Sequence, residues 1–275
     1  MSTSRTFQLD VDTKRYLARV NTYRKINGIG PVLPQDAADI DNFVVGLKDL
    51  GIWGDVVVFL NRSIHNIGLG SNISKLGGAL GEVSASLIST PSWTPNGIQI
   101  TATNQGVNTN VNPITTFGRS GYIMSVLLVP NTANEGRLIL TCDHPATGYG
   151  IGMDDFATST FRILNISDAI PKTTLSSNYG LVSIGRGIWG TRVFANSTSY
   201  INNTTLNVIS TQTASNWGVG GAHLLGYPTG AAFPVVSKFQ TNSLIIISGK
   251  ELTFNLHLSM YNLLKTSVCK NLGLI

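Results

Sequence analysis

The stretch Tyr122-Ile123-Met124-Ser125-Val126-Leu127-Leu128-Val129 is apolar at every position but Ser125. An unbroken apolar run of this length, between turn residues, is what a strand covered on both faces requires. It predicts a central strand of a β-rich body. Outward from it, short alternating or wholly apolar runs recur between turn clusters, at Gly97–Thr103, Arg137–Thr141, Gly150–Met153, Thr160–Leu164, Tyr179–Ile184, Gly190–Ala195, His223–Leu225 and Ser243–Ile247. Gly118, Gly121, Gly136, Gly180, Gly185 and Gly187 punctuate them as turn or bulge residues. The pattern is that of an antiparallel β-sandwich.

The composition agrees. Only 12% of the 275 residues are charged, about half the usual ~25%, and Gly, Ser, Thr and Asn take their place. With 42% hydrophobic residues the chain is long enough to bury a core without a metal or a disulfide. Cys142 and Cys269 are far apart and match no zinc or redox spacing, so both read as buried thiols. Asn-x-Ser/Thr triplets at Asn61, Asn72, Asn165, Asn196, Asn202 and Asn203 are what an Asn- and Thr-rich chain produces by chance. The start, MSTSRTFQLD, has no apolar core of signal-peptide length, and no run has the ~18 residues of a membrane span. A chain made as a soluble product is expected.

Before the β-rich body the pattern is helical. Thr13 to Tyr23 places Tyr16, Leu17 and Val20 on one side, with Asp10 or Asp12 to cap it. Asn27 to Pro31 breaks this helix, and Pro31 to Pro34 is too restricted to resume it. In Ala37 to Leu50, the residues Ile40, Phe43, Val44, Leu47 and Leu50 form one apolar stripe. Asp36 or Asp39 is available as its cap, and Gly51 suits a left-handed C-terminal cap on which Ile52 and Trp53 fold back. The segment Ala37 to Leu60 thus joins a helical region to the body. At the other end, Phe254, Leu256, Leu258 and Met260 alternate as in a strand, while Leu256, Met260, Leu263, Leu264 and Ser267 fit one helix face. Thr253 as cap, Lys265 and Lys270 near the end, and Gly273 beyond them select a closing helix over Thr253–Lys270.

Two segments carry a family resemblance. Arg15-Tyr16-Leu17-Ala18-Arg19-Val20, followed by Ile40-Asp41-Asn42-Phe43-Val44-Val45-Gly46-Leu47-Lys48-Asp49-Leu50-Gly51-Ile52-Trp53, resembles the helical preamble of tailed-bacteriophage structural proteins. Leu181 to Arg186, Thr198 to Asn203, His223 to Gly226, Met260 to Thr266 and Leu272-Gly273-Leu274 are similar to the second half of phage concanavalin-A-like or laminin-G-like jelly-roll domains. The resemblance implies an N-terminal arm and helical adaptor over residues 1–60 and a jelly-roll sandwich with a closing helix over 61–275. It further implies a virion component, synthesised in the host cytoplasm, whose partners are other virion proteins and further copies of itself. The long fibre or trimerisation segments of receptor-binding tips are missing, which favours a small stand-alone subunit.

Chemistry-bearing patterns are sparse. A glycosidase on such a sandwich needs two paired carboxylates, yet Glu82, Glu135 and Glu251 are isolated and Asp154 and Asp155 are adjacent, on opposite faces of a strand. Asp143-His144 lacks a nucleophile motif, so no catalytic residue is expected. His65, His144, His223 and His257 share no ligand spacing, and two neighbouring aspartates do not require calcium. No metal and no cofactor are expected. The formal charge of +5 raises nucleic acid as a partner, but the basic residues are dispersed. The densest group, Arg15, Arg19, Arg24 and Lys25, reads as a solvated helix face or the mate of an acidic surface.

Two candidate surfaces remain. Trp93, Tyr149, Trp189, Trp217 and Tyr227 lie near Gly-, Asn- or Pro-rich turns, where sugar sites form around aromatic faces and amides, and the same aromatics suit a sandwich core. A host-surface glycan is the partner they imply. Arg5, Phe7 and Leu9 alternate with Thr6, Gln8 and Asp10, as in an arm that adds as an edge strand to a neighbouring subunit. Arg15 and Arg19 extend these assembly contacts. The leading expectation is a non-enzymatic virion structural protein, in a decoration, head-associated or tail-associated position, and the alternative is a carbohydrate-binding recognition module.

Overall fold

The computed structural model describes residues 8–65, 72–78, 84–101, 105–111, 121–128, 137–141, 152–155, 160–163, 169–171, 179–187, 190–203, 218–220 and 239–274. Two helices open it, α1 (Val11–Ile26) and α2 (Pro34–Asp49). Asp10 caps α1 by accepting from the Asp12 amide. At the start of α2 the expectation fails. Pro34 is the first helical residue, Leu33 stands at the cap without a side-chain bond, and neither Asp36 nor Asp39 caps. A proline at that position loses nothing, because the first amides of a helix have no intrahelical acceptor. The end of α2 follows the sequence reading. Gly51 takes φ +65°, its amide bonds Lys48 O at 2.9 Å and the Ile52 amide bonds Leu47 O at 3.2 Å, the two closures of a Schellman cap.

The chain then enters strands β1 (Val56–Leu60), β2 (Asn72–Gly78), β3 (Ser84–Ile88), β4 (Ser92–Thr94), β5 (Gly97–Ile100), β6 (Gly106–Asn108), β7 (Gly121–Leu128) and β8 (Arg137–Thr141). It continues through β9 (Gly152–Asp155), β10 (Thr160–Ile163), β11 (Ala169–Pro171), β12 (Gly180–Gly187), β13 (Gly190–Ala195), β14 (Thr198–Asn203), β15 (Gly218–Gly220) and β16 (Phe239–Ser248). The helix α3 (Phe254–Thr266) closes it, with the Thr253 hydroxyl accepting from the Leu256 amide. The expected strands Arg137–Thr141 and Gly190–Ala195 are present with those bounds, the ones at Gly97, Tyr122, Gly150, Thr160, Tyr179 and Ser243 are present with shifted bounds, and His223–Leu225 lies outside the described residues. Strands β1, β2, β3, β4, β6, β11, β14 and β15 were not among the expected ones.

Among the described residues all pairings are antiparallel and form one ribbon bent at β2. Residues 72–74 of β2 pair β3, while Lys75 and Gly78 pair β1. On one side of this bend runs the sheet β2-β1-β16-β7-β12-β13-β14, and on the other β2-β3-β6-β15-β8-β9-β10-β11. The first sheet is buried on both faces, as the Tyr122 run requires. Its outer-face residues Val56, Val58, Tyr122, Met124, Val126, Ile245 and Ile247 join one cluster with Val20 of α1, Phe43 and Leu47 of α2, and Met260 and Leu264 of α3. Its inner-face residues, among them Val57, Phe59, Ile123, Leu127, Ile184 and Ile246, have no exposed area. The helices therefore form a third layer on the sandwich, and they share one core with the outer face of its first sheet.

Candidate functional site

The candidate site lies at one corner of the first sheet. There β5 joins the start of β16 on the same edge that β1 occupies further along, and β4 hairpins onto β5. Cross-strand partners share a face, so Ser92, Gln99, Gln240 and Leu128 form one row across four strands. This is the outer face, and Ser92 is exposed while Gln99 and Gln240 are half-buried. Beside the row the buried Tyr179 hydroxyl donates to Gln240 Oε1. Burial raises the Tyr179 pKa and an Asn96 side-chain bond opposes this, so the phenol stays protonated as a donor. The alternate row places Trp93 opposite Ile98, which is followed by Thr241 and Leu127. Ile98, Thr241 and Leu127 have no exposed area, and Trp93 is half-buried at the open end of this inner row.

The corner is held rigidly by Asn242, at the bulge where β16 shifts register between Thr241 and Ser243. Its carbonyl accepts from the Asn61 amide at 2.8 Å, its Nδ2 donates to Asn96 O at 3.0 Å, and its Oδ1 accepts from Cys269 Sγ at 3.2 Å. One buried amide thus ties the end of β1, the hairpin turn and the segment after α3. Arg62 Nε donates to Pro95 O at 2.9 Å, and the Thr94 hydroxyl donates to Gly97 O at 2.8 Å. Gly97 has φ +148°, and a Cβ there would stand 2.4 Å from Thr241 O. Two amides, a serine hydroxyl, a fixed phenol and the exposed Asn96 supply hydrogen-bond donors and acceptors without net charge. Such a set suits a neutral polyhydroxylated ligand.

Of the residues singled out from sequence, Trp93 alone among the five aromatics is described. Tyr149, Trp189, Trp217 and Tyr227 lie outside the described residues, as do Arg5 and Phe7. Leu9 packs against the protein's own helical core. Arg15 projects into solvent beside Asp12, and Arg19 Nη2 donates to Lys75 O at 2.8 Å, which ties α1 to β2. Gln99, Gln240, Tyr179 and Asn96 were not anticipated. Only the pairing of β5 with β16 brings the first two together, and no local pattern announces it.

A serine and a histidine also meet. Ser183 Oγ lies 2.6 Å from His257 Nδ1, and His257 Nε2 lies 2.7 Å from Asn196 O. A carbonyl only accepts, so Nε2 carries the proton and the Ser183 hydroxyl donates to Nδ1. Both side chains have no exposed area, and the rings of Phe194 and Phe254 flank the imidazole with centroids at 5.5 and 6.3 Å. Burial depresses the His257 pKa to about 4. The pair pins α3 to the sheet. Asp154 and Asp155 are successive residues of β9, and among the described residues no three His, Cys, Asp or Glu side chains gather as a metal site.

No protein-family model matches the chain, and no curated protein does. Solved structures do. Trypanosoma rangeli sialidase in complex with sialic acid aligns with a TM-score of 0.55 and 14% identity over 80% of this chain and 34% of that one. A mutant of the same sialidase displaying trans-sialidase activity aligns with a TM-score of 0.56 and 14% identity over 92% and 37%. A receptor binding domain aligns with a TM-score of 0.52 and 10% identity over 80% and 53%. The chain spans about a third of the length of those sialidase structures. At these identities the likeness establishes the fold, a concanavalin-A-like sandwich.

Proposed function

We propose that the chain is a non-catalytic recognition module that binds a host-surface carbohydrate, carried on a bacteriophage virion. The observation that carries this reading is the corner of uncharged amides and hydroxyls in which Ser92 and Asn96 are exposed and Gln99 and Gln240 are half-buried beside Tyr179. The fold supports it, since one matched structure is a complex with sialic acid and another is a receptor binding domain. A glycan array tests the proposal. Binding should appear for the wild type and fall at least tenfold in Gln240→Ala and Gln99→Ala variants of unchanged thermal midpoint, because an unpaired ligand hydroxyl costs roughly 1–2 kcal/mol. A wild type that binds no glycan, or variants that bind like it, would refute this site.

The structural-subunit reading stands second. Val11, Ile26, Ile29, Leu33 and Val45 are large apolar residues left exposed on the helical layer, a surface that neighbouring virion subunits would cover. Cryo-electron microscopy of the particle separates the two. Copies coating the shell with this layer buried would favour the subunit, and a few copies at a tail tip with the amide corner outward would favour recognition.

A further inference from the structure

Between Thr13 and Gln35 the sequence carries five cations, Lys14, Arg15, Arg19, Arg24 and Lys25, and no carboxylate. The other fourteen Lys and Arg residues equal the fourteen Asp and Glu, so the whole formal charge of +5 resides in this segment. The structure makes the segment one surface, namely α1 and the loop that leads into α2. Lys14, Arg15 and Lys25 are exposed along α1. Next to Lys25 three large apolar side chains stand in water, Ile26 at 73%, Ile29 at 48% and Leu33 at 66% exposure.

Their exposure is built in. Arg24 Nε donates to Gly30 O at 2.6 Å and its Nη1 to Ile64 O at 3.1 Å. The Val32 amide donates to Asn21 Oδ1 at 2.8 Å, and Val32 is buried beneath the loop. Gly28 at φ +67° closes α1, with its amide on Lys25 O and that of Ile29 on Arg24 O. A loop pinned at four points cannot fold its apolar residues back onto the core. Beside Ile26 a hollow of about 460 Å³ continues along α1, lined among the described residues by Ala18, Arg19, Thr22 and Tyr23.

We infer that this face docks on an anionic lipid surface, with Ile26, Ile29 and Leu33 entering the headgroup boundary and the cations of α1 lying against the phosphates. A protein interface places its apolar residues centrally within a polar rim. Here Ile26, Ile29 and Leu33 gather at the C-terminal end of α1 and in the loop after it, and Lys14, Arg15 and Lys25 lie along α1. That segregation matches an apolar layer beneath a charged one. A second copy of the same surface would repel it, since each brings five cations against one carboxylate, Asp12. The inference is independent of the glycan reading and concerns another face.

The test is co-sedimentation of the full chain with vesicles of phosphatidylcholine alone and of phosphatidylcholine mixed equally with phosphatidylserine. Binding is expected to the mixed vesicles only, weakening as salt is raised. Lys14→Gln and Lys25→Gln, both at exposed positions, should each lower affinity about fivefold. The triple variant Ile26→Gln, Ile29→Gln, Leu33→Gln should lower it at least about a hundredfold while the thermal midpoint holds. Absence of binding to the mixed vesicles overturns the inference, as does binding that these variants leave unchanged. Retention on immobilised poly-glutamate without vesicle binding, lost in the lysine variants, would also overturn it and assign the face to an acidic protein. Glycan binding on the array, measured in parallel, should be unchanged by all of these substitutions.

Discussion

Replacing Asn242 with alanine should destabilise the fold by about 2–3 kcal/mol and loosen the amide corner before the rest. Asn242 is buried, with 1% of its surface exposed, and the substitution removes two side-chain bonds, to Asn96 O at 3.0 Å and from Cys269 Sγ at 3.2 Å. The first is an ordinary amide bond worth about 1 kcal/mol net, and its acceptor lies in an exposed turn where water replaces the donor. The second involves a weak donor, but burial leaves the thiol without a substitute, and the vacated amide volume adds a further fraction. The backbone bond from the Asn61 amide to Asn242 O persists, so β1 stays paired to β16. Urea unfolding should show a lower midpoint at unchanged slope. Hydrogen exchange should show the amides of β5 opening at lower free energy than those of β7. A loss below about 0.5 kcal/mol, or β5 protection equal to that of the wild type, would refute the assignment of Asn242 as the tie of the corner.

Other perturbations probe the supporting structure. Burial holds His257 near pKa 4 and His65 near 3, both from 6.5, so the folded state resists protonation and the stability these histidines contribute is complete above about pH 6.5. It falls by about 1.4 kcal/mol per pH unit for each histidine as pH drops below 6.5 toward those values, and unfolding midpoints measured from pH 7 to 5 should show this slope. Gly97→Ala places a Cβ 2.4 Å from Thr241 O at a φ of +148°, which should cost about 2–4 kcal/mol by denaturant titration and abolish the protection of β5. Lys48 bonds Asp10 and Asp12 at 2.7 Å each, and its bond lowers the Asp10 pKa. Lys48→Met should cost about 1–2 kcal/mol at neutral pH, less at high salt and progressively less as pH falls through the carboxylate range, seen as converging thermal midpoints.

The sequence made the helical layer legible because its signals are local. The 3.6-residue stripe of α2, the Gly51 cap and the Thr253 cap each lie within a few residues of what they organise. The Tyr122 run was legible for a related reason, since a strand covered on both faces needs no partner to be recognised. Val56–Leu60 is the same kind of run and escaped because it follows α2 after a single turn, within a stretch that reads as connector. The polar strands escaped for the opposite reason. Thr198–Asn203 and Asn72–Gly78 have no apolar alternation, and their place comes from β13 and from β1 and β3.

The candidate corner lies at the limit of local reading. Gln99 and Gln240 are unremarkable in sequence, and what makes them a surface is the single displaced residue at the β16 bulge. Before the bulge the edge of β16 takes β5, and after it the edge takes β1. With β1 ending at Leu60, the row beyond it is Ser92, Gln99, Gln240 and Leu128, and Leu128 with Tyr179 still packs against the core that the helices share. The break in register thus divides the edge of β16 between β1, which lies under the helices, and the β4–β5 hairpin, which carries the polar row. Specificity would then rest on whether the ligand's hydroxyls match the spacing of the amides, since a mismatch leaves Gln99 or Gln240 unpaired under the ligand.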